Sequence, residues 1–252
     1  GLSFLKFDAS LVSGIENSYE KNLRGIKGIK KYLVDVHNRI KGNYLGGREN
    51  VPAEIGSNIT SSLDIDLQLY AEKLMQNKKG SVVAIEPATG EILTLASSPT
   101  YNPGILVGRV RGKNYAKLMA DTLMPFYNRA LLAEYPPGST FKILNALVAL
   151  QEETINTKTR FSCSGTASKP IRCTHSHISP LNVVQAVKES CNPFLWNTFR
   201  SILYNSHTQA EGYTIWRDHV QRFGIGRRLD IDLPSESRGS LPDDLYYSQI
   251  YG

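Results

Sequence analysis

Ser139 and Lys142 stand three residues apart in Tyr135-Pro136-Pro137-Gly138-Ser139-Thr140-Phe141-Lys142, a spacing that puts a hydroxyl and an amine on one face of a helical turn. A serine hydroxyl is a weak nucleophile until a base takes its proton. A lysine serves as that base when burial or a neighbouring cation lowers its pKa. The same spacing separates Ser3 from Lys6 and Ser18 from Lys21, so context has to select. Ser3 lies close to the N-terminus, and Ser18 sits in the charged stretch 16–21, which reads as a solvated helix face. Ser139 differs: Pro136, Pro137 and Gly138 break the preceding segment, and the apolar run 141–150 that follows suits a buried helix. Ser139 is therefore expected at a helix N-terminus, where unpaired backbone N–H groups and the helix dipole favour developing negative charge. Taken alone, the pair also fits a helix cap beside a surface lysine.

A second group lies about fifty residues on, in Ser190-Cys191-Asn192-Pro193. Ser179-Pro180 is expected to open a helix with a cap and a first-turn proline, and Leu181, Val184 and Val187 continue it at helical spacing. A Ser-x-Asn turn at its end would hold a hydroxyl and a carboxamide on one side of a short loop, suited to relaying a proton and gripping a peptide amide. Between the two groups, Cys163, Cys173, His175 and His177 form C-x9-C-x-H-x-H in a polar loop. Thiolate and imidazole suit tetrahedral zinc, a Cys163–Cys173 disulfide is the alternative in an oxidising compartment, and unligated surface residues are the third option.

The elements that must position these groups can be read around them. Residues 1–50 are charged and mostly helical in pattern, with 29–36 as the clearest stretch, and they end in a glycine-rich turn. An amphipathic helix is expected over 67–76. Residues 81–86 and 91–96 read as strands of a hairpin whose loop is Pro87-Ala88-Thr89-Gly90. Helices are expected to dominate from Leu118 through Phe199. No internal repeat or low-complexity tract is present.

With Ser-x-x-Lys ahead of Ser-x-Asn, the chain resembles the penicillin-recognising acyl-serine enzymes. YPPGSTFK is similar to the nucleophile motif of the class B penicillin-binding proteins, and ESCNPF to their second motif. Gly14-Ile15-Glu16, Tyr19, Leu23-Arg24-Gly25 and Gly28 resemble the GxE…Y…LRG…G pattern of the non-catalytic region of that class. Residues 63–68 and 82–93, Phe223-Gly224-Ile225-Gly226 and Asp232-Leu233-Pro234 resemble its transpeptidase domain. The matches occur in order from about Gly14 to Gly252, and they are most similar to the elongation-type, penicillin-binding protein 2-like D,D-transpeptidases.

The resemblance implies an α/β (α+β) penicillin-binding fold, an antiparallel sheet flanked by helices. It implies part of a non-catalytic pedestal at 1–56 and the transpeptidase domain at 57–252. Ser139 would be the nucleophile, Lys142 its base, Ser190 the proton relay to the leaving amine and Asn192 the grip on substrate. The reaction implied is cross-linking of peptidoglycan stem peptides through an acyl-serine, with β-lactams as covalent mimics and no cofactor. Partners implied are cell-wall elongation proteins. The location implied is the bacterial inner membrane with the catalytic part in the periplasm, on an N-terminal anchor in the full-length protein. The family's third motif, Lys-Thr/Ser-Gly, does not occur in the sequence and is expected beyond Gly252, which would leave this stretch catalytically incomplete.

Other classes share parts of the pattern. A β-lactamase or β-lactam sensor carries the first two motifs without needing the pattern at 14–28. A D,D-carboxypeptidase differs only in using water as acceptor, and a non-catalytic cell-wall scaffold would tolerate a missing third motif. Composition fits a globular chain: 252 residues, 41% hydrophobic and 21% charged. The net charge of +6 comes from dispersed lysines and arginines, with no aromatic-interleaved basic patch of the kind that binds nucleic acid. No run of about 20 apolar residues is present to span a membrane.

Overall fold

The computed structural model describes residues 14–243, 246 and 249; Ser3 and Lys6 lie outside that set. The chain forms two compact units, one running to Leu132 and including Asp230–Glu236, the other made of Ala133–Leu229 and the segment from Ser237 onward.

In the first unit, short helices α1 (Ile15–Ser18) and α2 (Glu20–Arg24) lead into a small hairpin of β1 (Tyr32–Val34) and β2 (Ile40–Asn43). The helix expected over 29–36 is thus extended chain: Ile29 bridges Val51, and Tyr32 faces Asn43 in the antiparallel register. Tyr32, Leu33 and Val34 are all exposed, so no buried stripe enforces a helical period, and aromatic and β-branched residues favour the strand. Gly25, with φ +64°, lies where a Cβ would sit 2.2 Å from the Glu54 carbonyl oxygen, which explains the glycine after Leu23-Arg24.

Helix α3 (Ile65–Leu74) starts at Asp64, whose carboxylate accepts from the Leu67 N–H at 3.0 Å. It packs on β4 (Ile92–Ser98), which pairs antiparallel with β3 (Gly80–Ile85) as the hairpin pattern predicts. Gln68 ties the helix to the strand: its Oε1 accepts from Thr94 Oγ1 at 2.6 Å and from the Leu95 N–H at 2.9 Å. Helices α4 (Arg111–Met119) and α5 (Arg129–Leu132) follow. Arg129 is buried because its guanidinium serves the carbonyls of Leu123, Met124 and Tyr127.

The second unit is helical: α6 (Phe141–Gln151), α7 (Val183–Lys188), α8 (Asn192–Leu203) and α9 (Gln209–Arg222). Their apolar faces meet in one core that includes Val148, Ala149, Phe194, Ile202, Trp216 and Val220. Between α6 and α7 the chain is mostly irregular, not helical as expected, consistent with its Ser, Thr, Lys and Pro content. Ser179 does not cap α7, because Leu181 N–H and C=O are both taken by a bridge to Phe161. The helix waits for Asn182, which forms a capping box with Gln185.

Helices α8 and α9 approach closely at Gly212, where a Cβ would lie 2.5 Å from the Leu203 carbonyl oxygen. Backbone cannot yield as a flexible side chain does. Gly212→Ala is expected to destabilise the protein by about 1–3 kcal/mol, read as a lower urea midpoint with an unchanged slope.

Candidate active site

The second unit brings Ser139, Lys142, Ser190 and Asn192 together. Gly138, with φ +59°, opens a 3-10 turn over Gly138–Thr140 that runs directly into α6. Thr140 Oγ1 donates to the Pro137 carbonyl at 2.5 Å and fastens the turn. Ser139 is exposed on this turn, and Lys142, one turn further on, is half-buried.

The opposite wall is the link from α7 to α8. The Cys191 N–H donates to the Ala186 carbonyl at 2.9 Å, folding the chain back over the end of α7. Ser190 takes the left-handed conformation, φ 51°, which is costly for a residue with a Cβ and is held only where the surroundings determine it. Here the gain is visible: the Ser190 carbonyl and hydroxyl both face Lys142. The Lys142 ammonium donates to Ser190 O at 2.6 Å, Ser190 Oγ at 2.9 Å and Asn192 Oδ1 at 2.5 Å. These three acceptors match the three donors of a charged lysine. Ser190 Oγ in turn donates to Ser139 Oγ at 3.1 Å. A hydrogen-bonded path therefore runs from Ser139 through Ser190 to Lys142. Asn192 completes the frame by donating from Nδ2 to the Arg172 carbonyl at 3.1 Å, a backbone contact with no signal in the sequence.

Burial pushes the Lys142 pKa below the usual lysine value, opposed by the nearby Cys173 and Cys191 sulfurs. Loss of one proton from Nζ would expose a lone pair toward Ser190 Oγ. The path could then carry the Ser139 proton inward, leaving a nucleophilic oxygen at the surface.

A cluster of soft ligands adjoins this frame. Cys163 Sγ, Cys173 Sγ, Cys191 Sγ and a ring nitrogen of His177 lie within 4.8 Å of one another. Cys191 takes the place expected of His175, which is not in the group, because the turn that aims Ser190 and Asn192 outward sends Cys191 inward to a fully buried position. All three cysteines are free thiols, so the expected alternative of a Cys163–Cys173 disulfide does not hold. Burial opposes thiolate formation at Cys173, but the His175 N–H, the His177 ring and other donors outweigh it and lower its pKa to about 6. Burial raises Cys191 to about 12. Three cysteines and a histidine are the donor set of a tetrahedral zinc site.

Residues 80–251 match the penicillin binding protein transpeptidase domain, and residues 12–61 match the penicillin-binding protein dimerisation domain. The peptidoglycan D,D-transpeptidase MrdA of Acinetobacter baumannii is 33% identical over 236 residues, covering 91% of this chain and 33% of that protein. MrdA of Escherichia coli is 32% identical, covering 91% and 35%. The chain thus spans about a third of the length of these relatives. Among solved structures, penicillin-binding protein 2 of Helicobacter pylori in complex with MreC superposes with a TM-score of 0.76 at 27% identity, covering 94% of this chain and 43% of that one. Pseudomonas aeruginosa penicillin-binding protein 2 in complex with WCK 5153 gives a TM-score of 0.72 at 26% identity, covering 94% and 47%. The expected α+β penicillin-binding fold holds.

Because folding lowers the pKa of this amine, the unfolded chain binds more protons at this group between the two pKa values, and its contribution to stability rises with pH from the lowered pKa up to the ordinary lysine value. The Lys142 ammonium is expected to titrate below the ordinary lysine value when followed by NMR of isotope-labelled lysine side chains. Titration at or above the ordinary lysine value would contradict the burial argument.

Proposed function

The chain belongs to the penicillin-binding protein transpeptidase family, and from that premise we propose that it is part of a peptidoglycan D,D-transpeptidase of the elongation type. The observation that carries this reading is the hydrogen-bonded path Ser139–Ser190–Lys142, with Asn192 holding its inner end. Residues 1–56 are read as part of the pedestal and 57–252 as part of the transpeptidase domain.

In this reading the Ser139 oxygen attacks the carbonyl carbon of the penultimate D-Ala of a stem peptide, and its proton passes through Ser190 to neutral Lys142. The tetrahedral intermediate collapses with the proton returned through Ser190 to the departing D-Ala amine, leaving an acyl-serine. A side-chain amine of a second stem peptide attacks that ester, forms the cross-link and frees Ser139. Asn192 fixes the Lys142 end of the relay and is read as the grip on the substrate backbone. A β-lactam acylates Ser139 in the same way but retains its leaving group on the ring-opened adduct. Supporting context comes from the relatives: one solved neighbour is a complex with MreC, and another belongs to a peptidoglycan synthase complex. Elongation-machinery partners, a membrane anchor and a periplasmic location are proposed on that basis.

The reading extends to a metal. Cys163, Cys173, His177 and Cys191 would hold a zinc ion in a closed four-ligand site, structural in kind because no coordination position is left for water. Its role would be to fasten the 163–177 loop to the Ser190–Asn192 turn through Cys191.

Incubating the full-length protein that carries this chain with a fluorescent penicillin is expected to label Ser139, identified by peptide mapping. Ser139→Ala should lose all covalent label while keeping its melting temperature within a few degrees; label persisting elsewhere would sink the nucleophile assignment. Protein purified without chelator is expected to carry one zinc per chain, and His177→Ala to lose it. A zinc content near zero in the wild-type protein would remove the metal from this reading.

A further inference from the structure

Asn145 interrupts the apolar run of α6 one turn beyond Lys142 and is buried, at 7% exposure. Both ends of its carboxamide are engaged by two other helices. Nδ2 donates to the Leu195 carbonyl of α8 at 3.1 Å, and Oδ1 accepts from the Trp216 indole N–H of α9 at 3.0 Å. Trp216 is itself held by aromatic neighbours: Phe141 of α6 at 5.9 Å, Phe199 of α8 at 5.2 Å and Tyr213 of α9 at 5.4 Å between ring centroids. The indole therefore has little freedom, and its N–H fixes the direction of the carboxamide.

The spacing on the two helices matches. Lys142 and Asn145 are three residues apart on α6, as Asn192 and Leu195 are on α8. The bonds Lys142–Asn192 and Asn145–Leu195 thus join the same two helices one turn apart. The outer bond lies in the half-exposed site; the inner one lies in the core, where water cannot replace a lost partner. Sliding or rotating α6 against α8 would leave a carboxamide, an indole N–H and the extra lone pair of a carbonyl unsatisfied together in an apolar interior. An aliphatic residue at 145 would fill the space, but it would exact no such penalty for a shifted register.

We propose that Asn145, fixed by Trp216, is a positioning residue that sets the register of α6 against α8 and so keeps the Lys142 amine on Ser190 and Asn192. The inference rests on the reading of Lys142 and Asn192 as parts of the acylation machinery, and it adds two residues that touch neither substrate nor nucleophile.

The test uses the full-length protein in four forms: wild type, Asn145→Leu, Trp216→Phe and Val220→Ala. The last removes buried apolar volume from α9 without touching the polar link. Two readouts are taken, the acetylation rate of each lysine by mass spectrometry under trace reagent, and penicillin acylation separated into its non-covalent binding constant and its first-order rate. Asn145→Leu is expected to shift Lys142 reactivity severalfold, in either direction because release from the site raises both its access to reagent and its pKa, with other lysines unchanged. It should slow the first-order acylation step about tenfold or more while leaving the binding constant within about twofold. Trp216→Phe should shift both readouts in the same direction and carries the test if Asn145→Leu does not fold. Val220→Ala should lower the melting temperature and move neither readout. Unchanged Lys142 reactivity in both polar variants, or an equal shift in Val220→Ala, would overturn the positioning role. Should wild type take no penicillin at all, the functional reading fails while the lysine readout still decides the register.

Discussion

The second unit is organised around one constraint, the placement of a half-buried ammonium among three oxygens. Lys142 reaches Ser190 O, Ser190 Oγ and Asn192 Oδ1, all within 2.9 Å. A lysine amine on a flexible four-carbon stem loses much conformational freedom in such a place, so the acceptors must be held rigidly for the arrangement to persist. The left-handed Ser190, the fold-back of Cys191 onto Ala186 and the start of α8 at Asn192 are the means of holding them. Each would be an unnecessary local cost in an ordinary helix-to-helix turn.

The arrangement separates two needs that conflict in a single residue. A nucleophile must be open to substrate, whereas a base with a lowered pKa must be withdrawn from water. Ser139 stays exposed on a short turn before α6, and Lys142 sinks toward the core one turn later. Ser190 joins the two environments with a hydroxyl that can accept from one side and donate to the other. Cys191, between Ser190 and Asn192, points the opposite way, into the cluster with Cys163, Cys173 and His177. The same three-residue turn thus faces the proposed acyl-serine site with its outer side chains and the metal-type cluster with its inner one. The Asn192 bond to the Arg172 carbonyl links the turn a second time to the loop that carries Cys173.

That Ser139, Lys142, Ser190 and Asn192 belong to one site was legible because the chemistry proposed for them demands particular types at fixed spacings, and the structure brings the four together. The β3–β4 hairpin was legible too, since Pro87 to Gly90 interrupts two segments rich in Val, Ile and Leu. Long-range competition hid other features. Ser179-Pro180 has the composition of a helix start, but the Leu181 bridge to Phe161 delays the helix until Asn182. Residues 29–36 lack a buried face, so an apparent helical pattern gave way to pairing with chain well downstream. Cys191 was noted only as part of a motif, because which way a turn aims its middle residue is a tertiary fact. Asn145 did leave a trace as a lone carboxamide within an apolar run; its partners on α8 and α9 could not be read from spacing.

Replacing Lys142 by arginine most directly tests whether this amine is the proton acceptor. Arginine keeps the positive charge and several donors but does not deprotonate near neutral pH. Intact-mass kinetics of penicillin acylation on the full-length protein should show Lys142→Arg slowed about 100-fold or more, in the range general-base catalysis contributes, with the fold intact by circular dichroism. Acylation of Ser139 at the wild-type rate in Lys142→Arg would contradict the proposed path and require a different base.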